Sequence, residues 1–152
     1  MLRRKSVLRI DNPNDNDCFW YALACLMYPE RKALRTKTKF VRVRVANQLA
    51  EQCGMKLGNT VPLSVIPIIE KALEIKINII DIDNTPEEGQ TIDDLREVLL
   101  LASGMKYEKK CFLLLDTVRH HYDAITNIKS FLGVQGGLCH NCWKVFFINT
   151  KR

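Results

Sequence analysis

Apolar positions repeat with a helical period in the first half of the chain and with a strand period in much of the second half. From Cys18, apolar residues recur at spacings of three and four, and Pro29 should end this helix because the residue before a proline avoids the helical region. The same spacing predicts a second helix over about residues 39–52, with Gly54 stopping it. A third helix is predicted over residues 63–73.

Strand signals become dominant after the third helix. The segment 75–82 alternates between apolar and polar positions and is rich in β-branched residues, which is the clearest strand pattern in the chain. One further short helix is expected between Asp93 and Ser103. The remaining predicted strands are residues 6–10 as an edge strand, residues 111–115, and residues 120–128 as the hairpin partner of 111–115. This order predicts an α+β fold with a small central β-sheet packed between helices.

Composition narrows the class of protein. The chain has 152 residues, 47% of them hydrophobic and 26% charged, which is typical of one globular domain and not of a disordered chain. No apolar run approaches the length of a membrane span, so no membrane partner is expected. The basic amino terminus does not form a signal-peptide core. The six cysteines are therefore interpreted as reduced thiols of an intracellular protein.

The net charge of +6 is unevenly distributed. Residues 31–44 are strongly basic, and residues 87–97 are acidic. A basic stretch of this size predicts either nucleic-acid binding along a phosphate backbone or a solvated helix face. Because Phe40 is the one aromatic residue in the stretch, there is no stacking platform for bases, and the solvated face is favoured.

Cys18 is the first candidate for chemistry. Residues 12–17 are Asn, Asp and Pro, which cap a helix well but do not extend one, so Cys18 is expected in the first helical turn. Backbone N–H groups there lack helical partners, and the helix dipole favours a thiolate and an oxyanion. The alternative is an inert cysteine in the core.

The second candidate is a pair of residues on the predicted strand 120–128. Residues two apart on a strand share a face, so His121 and Asp123 are expected on one face, and His120 and Tyr122 on the other. A carboxylate at that position fixes the tautomer of the imidazole and stabilises the imidazolium after it takes a thiol proton. Together with Cys18, this arrangement predicts a cysteine nucleophile with a histidine base.

Two segments resemble the ovarian-tumour (OTU) family of cysteine proteases. Residues 15–23, Asp-Asn-Asp-Cys-Phe-Trp-Tyr-Ala-Leu, resemble the family's Asp-Gly-Asn-Cys signature with its following apolar pair and Ala. The sequence His-Tyr-Asp at residues 121–123 resembles the family's carboxyl-terminal His-Tyr-Asn/Asp, and the two segments come in the family's order. The resemblance covers about a dozen residues at the first segment and about eight at the second.

This resemblance implies a papain-like α+β fold and a Cys-His-Asp triad. Cys18 would be the nucleophile, His121 the general base and acid, and Asp123 the residue that orients the imidazole. The backbone of the loop formed by Asp15, Asn16 and Asp17 would line the oxyanion hole. The implied reaction is hydrolysis of the isopeptide bond after the carboxyl-terminal Gly-Gly of ubiquitin or a ubiquitin-like protein, with no cofactor required.

The chain departs from the family pattern at two points. Asn16 and Asp17 replace the usual Gly-Asn, and the charge of Asp17 would oppose an oxyanion nearby. The residue that orients His121 is also open, because either Asp15 or Asn127 is an alternative to Asp123.

The carboxyl-terminal part carries a second resemblance. Residues 121–133, followed by Cys-His-Asn-Cys at 139–142, resemble a domain found with the DNA polymerases of large self-synthesising transposons of the Maverick type and related viruses. Such a context implies a domain within a polyprotein. We divide the chain into a protease-like domain, residues 1–133, and a tail, residues 134–152.

Cys139 and Cys142 have the spacing of zinc ligands. Four ligands are needed, and no Cys or His follows Cys142. The alternatives are the first half of a zinc finger continuing after residue 152, zinc completed by dimerisation, and a reduced turn without metal. Two functions therefore remain: a cysteine isopeptidase, or a non-catalytic, nucleic-acid-binding accessory module of a polymerase, using residues 31–44 and the tail.

Overall fold

Helices lie where the apolar spacing predicts them in the first half of the chain. The computed structural model describes residues 6–10, 16–34, 39–85, 96, 98–133, 137–138 and 145–146. Pro67 lies in the first turn of the third helix, where its missing N–H costs no helical hydrogen bond. Gly54, with φ of 71°, follows the second helix. The helices are α1 (Cys18–Met27), α2 (Lys39–Gln52), α3 (Ile66–Leu73) and α4 (Ile128–Leu132).

A mixed sheet forms the centre of the described fold. Its strand order is β1-β5-β4-β2-β3, with β2 and β4 parallel and the other neighbours antiparallel. The predicted edge strand and the predicted antiparallel pairing of residues 111–115 with the following strand are confirmed, and so is the α+β class. The strands are β1 (Val7–Leu8), β2 (Lys76–Asp81), β3 (Leu99–Leu101), β4 (Lys110–Asp116) and β5 (His121–Ile125).

Alternate residues of β4 divide the apolar core into two layers. Leu113 and Leu115 face the larger layer, which contains the buried face of α1. Phe112 and Leu114 face a smaller layer on the opposite side of the sheet, which includes Phe131 of α4. The sheet is therefore covered on both faces, and the amino-terminal helix lies on the larger side.

The short strand β1 pairs with only part of the edge of β5. Val7 pairs with Ile125 and Leu8 with Ala124, and the pairing stops there. Further along, Ser6 O accepts hydrogen bonds from N–H and Oγ1 of Thr126 at 2.7 and 3.0 Å. The first half of β5 consequently has an edge without a paired strand in the described chain.

Three local predictions were wrong. The predicted helix between Asp93 and Ser103 contains β3 in its described part, because an apolar run of this length is ambiguous in period and β2 offers an edge for pairing. The strand predicted over 120–128 ends at Ile125, and α4 follows; the side chain of Asn127 accepts a hydrogen bond from the Ser130 N–H at 3.1 Å. His120 lies in the turn before β5 with a left-handed φ of 51°.

A cluster of hydrogen-bonded polar residues joins α3, β2 and the segment after β3. The Glu70 carboxylate accepts hydrogen bonds from the Ile77 N–H at 2.9 Å and from the Ser103 hydroxyl. The Ser103 N–H donates to Oδ1 of Asn78 at 2.9 Å. These bonds hold the segment after β3 against α3 and β2, and we call Glu70, Asn78 and Ser103 the buried Glu70 cluster.

The tail contains a small hairpin. Two antiparallel strands, β6 (Gly137–Leu138) and β7 (Val145–Phe146), pair with each other. Cys139 and Cys142 fall between them in sequence and outside the described residues, so the zinc prediction is not addressed by this structure.

Candidate active site

Cys18 lies in the first turn of α1. Asp17 is the residue before the helix, but its side chain makes no capping hydrogen bond. Its Oδ1 instead accepts the N–H of Gly58 at 2.6 Å. The Asp17 side chain therefore occupies none of the first N–H groups of α1, which are the groups that bind a negative charge at the start of a helix.

The sulfur of Cys18 lies against the open edge of β5. The Tyr122 N–H donates to Sγ at 3.4 Å, and Sγ lies 3.8 Å from the carbonyl oxygen of His120. Sγ of Cys18 thus accepts the Tyr122 N–H, which would bond to β1 if that strand were longer. This contact stabilises negative charge on sulfur and fixes the helix relative to the strand that carries the histidine.

His121 and Asp123 share a face of β5, as the strand period predicts. Nε2 of His121 lies 2.9 Å from Oδ1 of Asp123. The same oxygen accepts the N–H of Ile10 at 2.8 Å, immediately after β1. The carboxylate that orients the imidazole is therefore itself held by the backbone of the edge strand.

The environment of His121 favours its charged form. Hydrogen bonds to Asp123 and then to Cys18 raise the pKa of His121 to about 9, against the opposing effect of burial. Since Nε2 is engaged by Asp123, Nδ1 is the nitrogen left for Cys18, which assigns the neutral tautomer as Nε2–H. The arrangement can accept the thiol proton and hold the resulting imidazolium.

Two cavities open on the two sides of this centre. The Cys-side cavity has a volume of about 380 Å³ and is lined by Asn16, Cys18, Phe19, Thr60, Val61, Pro62, Leu63, Leu100, Leu115, Thr117, His120 and Tyr122. The His-side cavity has a volume of about 520 Å³ and is lined by Val7, Arg9, Ile10, Ile82, Thr85, Leu114, Asp116, Arg119, His121, Asp123 and Phe131. Although Cys18 is only 5% exposed, its sulfur has access to a ligand through the first cavity.

The three residues expected in the oxyanion loop have different positions. Asp15 lies outside the described residues. Asn16 lines the Cys-side cavity, and its Nδ2 donates to Gly58 O at 3.4 Å. Asp17 is buried, and its carboxylate accepts a hydrogen bond from the Gly58 N–H. Of the two described candidates for orienting His121, Asp123 contacts the ring, whereas Asn127 caps α4.

Several supporting contacts were missed by the sequence analysis. Gly58 accepts a hydrogen bond from Asn16 through its carbonyl oxygen and donates its N–H to Asp17, and its φ of 102° is a conformation that favours glycine. Gly and Asn at residues 58 and 59 are typical turn residues, but their distance from Cys18 in the chain gives no sign of this pairing. The N–H bonds of Ile10 and Tyr122 likewise depend on strand register, which no local pattern specifies.

The other described cysteines lie in different environments. Burial raises the pKa of Cys111 to about 11 and raises that of Cys53 as well. Cys25 is 1% exposed, and its thiol donates to Leu34 O at 3.5 Å. Among these thiols, Cys18 alone contacts an imidazole within the described part of the chain.

The basic stretch 31–44 is not one continuous charged face where it is described. Arg42 is buried and donates through Nε to Leu34 O at 2.9 Å. The guanidinium of Arg31 lies over the ring of Tyr28, 5.9 Å from its centroid. Among the described residues, no group of three or more Cys, His, Asp or Glu side chains has a metal-binding arrangement.

Comparisons of the chain with protein-family models, curated proteins and solved structures found no match. Over the residues that the structure describes, no helix has both the length and the apolar character needed to cross a bilayer.

Proposed function

We propose that this protein is a cysteine isopeptidase in which Cys18 is the nucleophile, His121 the general base and acid, and Asp123 the orienting carboxylate. The proposal rests chiefly on one observation: His121 is held between Asp123 and Cys18, at the first turn of a helix. Thiol hydrolysis requires a nucleophile, a base and a residue that orients the base, all within hydrogen-bonding reach.

The proposed reaction has two halves. In the starting state the proton shared by Cys18 and His121 lies on Nδ1 of His121, whose pKa is raised to about 9. The thiolate attacks the carbonyl carbon of the isopeptide bond to form a C–S bond. The imidazolium then protonates the leaving nitrogen as the C–N bond breaks, which releases an amine and leaves a thioester. Water, deprotonated by His121, attacks the thioester carbon; the C–S bond breaks, the acid is released, and sulfur and imidazole return to their starting state.

The oxyanion of each tetrahedral intermediate would lie at the amino terminus of α1. The Asp17 side chain does not cap the amides at this helix start, and Asn16 lines the Cys-side cavity together with Cys18. The carboxylate of Asp17 is bonded to Gly58, which reduces its opposition to an oxyanion. This contact explains how the loop accommodates an acidic residue where the OTU pattern has Asn.

The substrate class follows from the resemblance to OTU proteases. The papain-like fold that it implies is supported by the order of the site along the chain, with the nucleophile on the first helix and the histidine on a later strand of the sheet. We therefore assign the acyl side of the substrate to the carboxyl-terminal Gly-Gly of ubiquitin or a ubiquitin-like protein.

A direct test is reaction with ubiquitin and ubiquitin-like proteins that carry a carboxyl-terminal vinyl sulfone. We expect one adduct, on Cys18, with labelling lost in Cys18→Ala and strongly slowed in His121→Ala. Cys25→Ala is the matched control, because Cys25 lies in the same helix but is bonded to Leu34 O away from the imidazole. Iodoacetamide mapping adds a second measurement: the alkylation rate of Cys18 should depend on His121, whereas those of the other thiols should not.

Absence of an adduct with every modifier, together with alkylation of Cys18 that does not depend on His121, would contradict the enzyme assignment. The accessory-module interpretation would then account better for the chain.

A further inference from the structure

The two cavities have different relations to the bond that is broken. In the proposed reaction, the acyl carbon is attacked by Sγ of Cys18, and the leaving nitrogen receives its proton from His121. The acyl half of the substrate therefore lies toward the Cys-side cavity. The half that leaves as an amine lies toward the His-side cavity, which His121 and Asp123 line.

The Cys-side cavity is mainly apolar. Its lining includes Phe19, Val61 and Leu115, and among the described residues it contains no carboxylate, lysine or arginine. The described lining also includes His120, which is exposed. The described lining of the Cys-side cavity would therefore contact a substrate mainly through apolar side chains.

The His-side cavity, in contrast, has two exposed guanidinium groups. Arg9 lies between β1 and the Ile10 amide that holds Asp123, and Arg119 lies two residues before His121. Both are therefore carried by the segments that position the catalytic pair. Within the described chain, neither side chain has an ion-pair partner.

The two carboxylates in the described lining of this cavity already accept hydrogen bonds from the protein itself. Oδ1 of Asp116 accepts the N–H groups of Val118 and Arg119 at 3.1 and 3.2 Å, which closes the turn between β4 and β5. Asp123 is bonded to His121 and Ile10. With His121 protonated, the described residues of the lining carry three positive and two negative charges, which favours an acidic ligand.

We infer that the His-side cavity is a specificity site for the leaving half of the substrate, and that Arg9 and Arg119 select acceptor lysines flanked by acidic residues. This inference rests on the proposed isopeptidase function. It adds a preference on the side of the bond that the OTU resemblance does not specify.

The test uses three isopeptide substrates of equal length. In each, ubiquitin is joined to the lysine side chain of a labelled peptide, and the residues flanking that lysine are Asp, Ser or Lys. Wild-type protein should cleave the Asp peptide with a kcat/KM on the order of fivefold above the Lys peptide, which is the size expected of exposed charge pairs. The ratio should fall as salt concentration rises, because exposed charges are screened.

Variants identify the residues responsible. The ratio of kcat/KM for the Asp peptide to kcat/KM for the Lys peptide should fall toward one in the double variant Arg9→Gln/Arg119→Gln. Arg119→Lys should retain most of this ratio because the charge is kept. Lys71→Gln, which removes one exposed positive charge on α3 outside both cavity linings, is the matched control and should leave the ratio unchanged. Thermal unfolding midpoints show whether each variant is folded.

The failures of this inference and of the proposed function give different results. Labelling by ubiquitin vinyl sulfone, which carries no peptide on the leaving side, combined with equal cleavage of all three peptides would overturn the specificity site and leave the isopeptidase standing. A ratio that persists in the folded double variant would also overturn it. If the wild-type protein neither reacts with the probe nor cleaves any peptide, both proposals are wrong.

Discussion

The candidate triad and the buried Glu70 cluster use similar chemical groups in different surroundings. Each joins a carboxylate to a polar partner and to a backbone N–H: Asp123 to His121 and Ile10, and Glu70 to Ser103 and Ile77. In the candidate triad, the side chains of His121 and Asp123 are 19% and 18% exposed and line a cavity. Glu70 is 3% exposed and is in the lining of neither the Cys-side nor the His-side cavity. The same kind of hydrogen bonding can thus support catalysis where a ligand has access, and structure where it is enclosed.

The largest expected effect separates the two adjacent histidines. His121→Ala removes the group that moves protons and should lower kcat/KM by about 10³ to 10⁴. His120→Ala should remain within a few fold, because it is the backbone carbonyl of His120 that contacts the sulfur, and no described acidic residue pairs with its side chain. His120→Asn is the folding control, since Asn tolerates the left-handed φ. Equal losses in two well-folded variants would contradict the assigned roles.

Removing Asp123 should change both the rate and its pH dependence. In the wild type, kcat/KM should fall as pH rises through about 9, where His121 loses its proton. Asp123→Ala should lower kcat/KM on the order of 10²-fold and move this limb toward pH 6.5, because the main cause of the raised pKa is gone. Asp123→Asn, which keeps an acceptor, should lie between the two.

The same pKa shift predicts a change in stability. Because the pKa of His121 is raised on folding, its contribution to the free energy of unfolding is complete below pH 6.5 and is lost as pH rises through about 9. Glu108→Ala, at an exposed position, should alter neither profile. An unmoved alkaline limb in Asp123→Ala would exclude Asp123 as the orienting group.

In the buried Glu70 cluster, the expected effect is on folding. Glu70→Ala leaves the Ile77 N–H and the Ser103 hydroxyl without their acceptor and should reduce the free energy of unfolding by about 3 kcal/mol. Below the unfolding transition, kcat/KM should be nearly unchanged. Glu51→Ala, exposed on α2, is the control and should cost less than about 0.5 kcal/mol in denaturant titrations. A specific loss of kcat/KM in folded Glu70→Ala would contradict the structural role.

The smallest effect is expected from the tail. The triad and the strands that hold it are complete before α4, so truncation after Gly133 should leave peptidase turnover within a few fold of the full chain. Steady-state kinetics and a thermal unfolding scan on the truncated protein measure this. If turnover disappears while the fold survives, the tail contributes to the site, and the boundary at residue 133 is wrong.

The parts of the site that were predictable depend on local rules. A polar run before apolar helical spacing placed Cys18 at the start of α1, and the strand period placed His121 and Asp123 on one face. β3 was missed because its three leucines fit a helix or a strand, and tertiary pairing with β2 decided between them. The contacts of Gly58 and Ile10 join distant segments, and no periodicity in a single chain specifies such pairs.

The contacts between the first residues of the chain and β5 have a consequence for the order of events during synthesis. Asp123 is held by the Ile10 N–H, 113 residues earlier in the chain, and the Cys18 sulfur by the Tyr122 N–H, 104 residues later. The edge strand can pair with β5 only after almost all of the domain has left the ribosome, and contacts of such long range form slowly. A nascent chain therefore carries Cys18 without its imidazole for most of translation. The candidate triad is therefore assembled only after the carboxyl-terminal strand β5 has been made and has paired with β1.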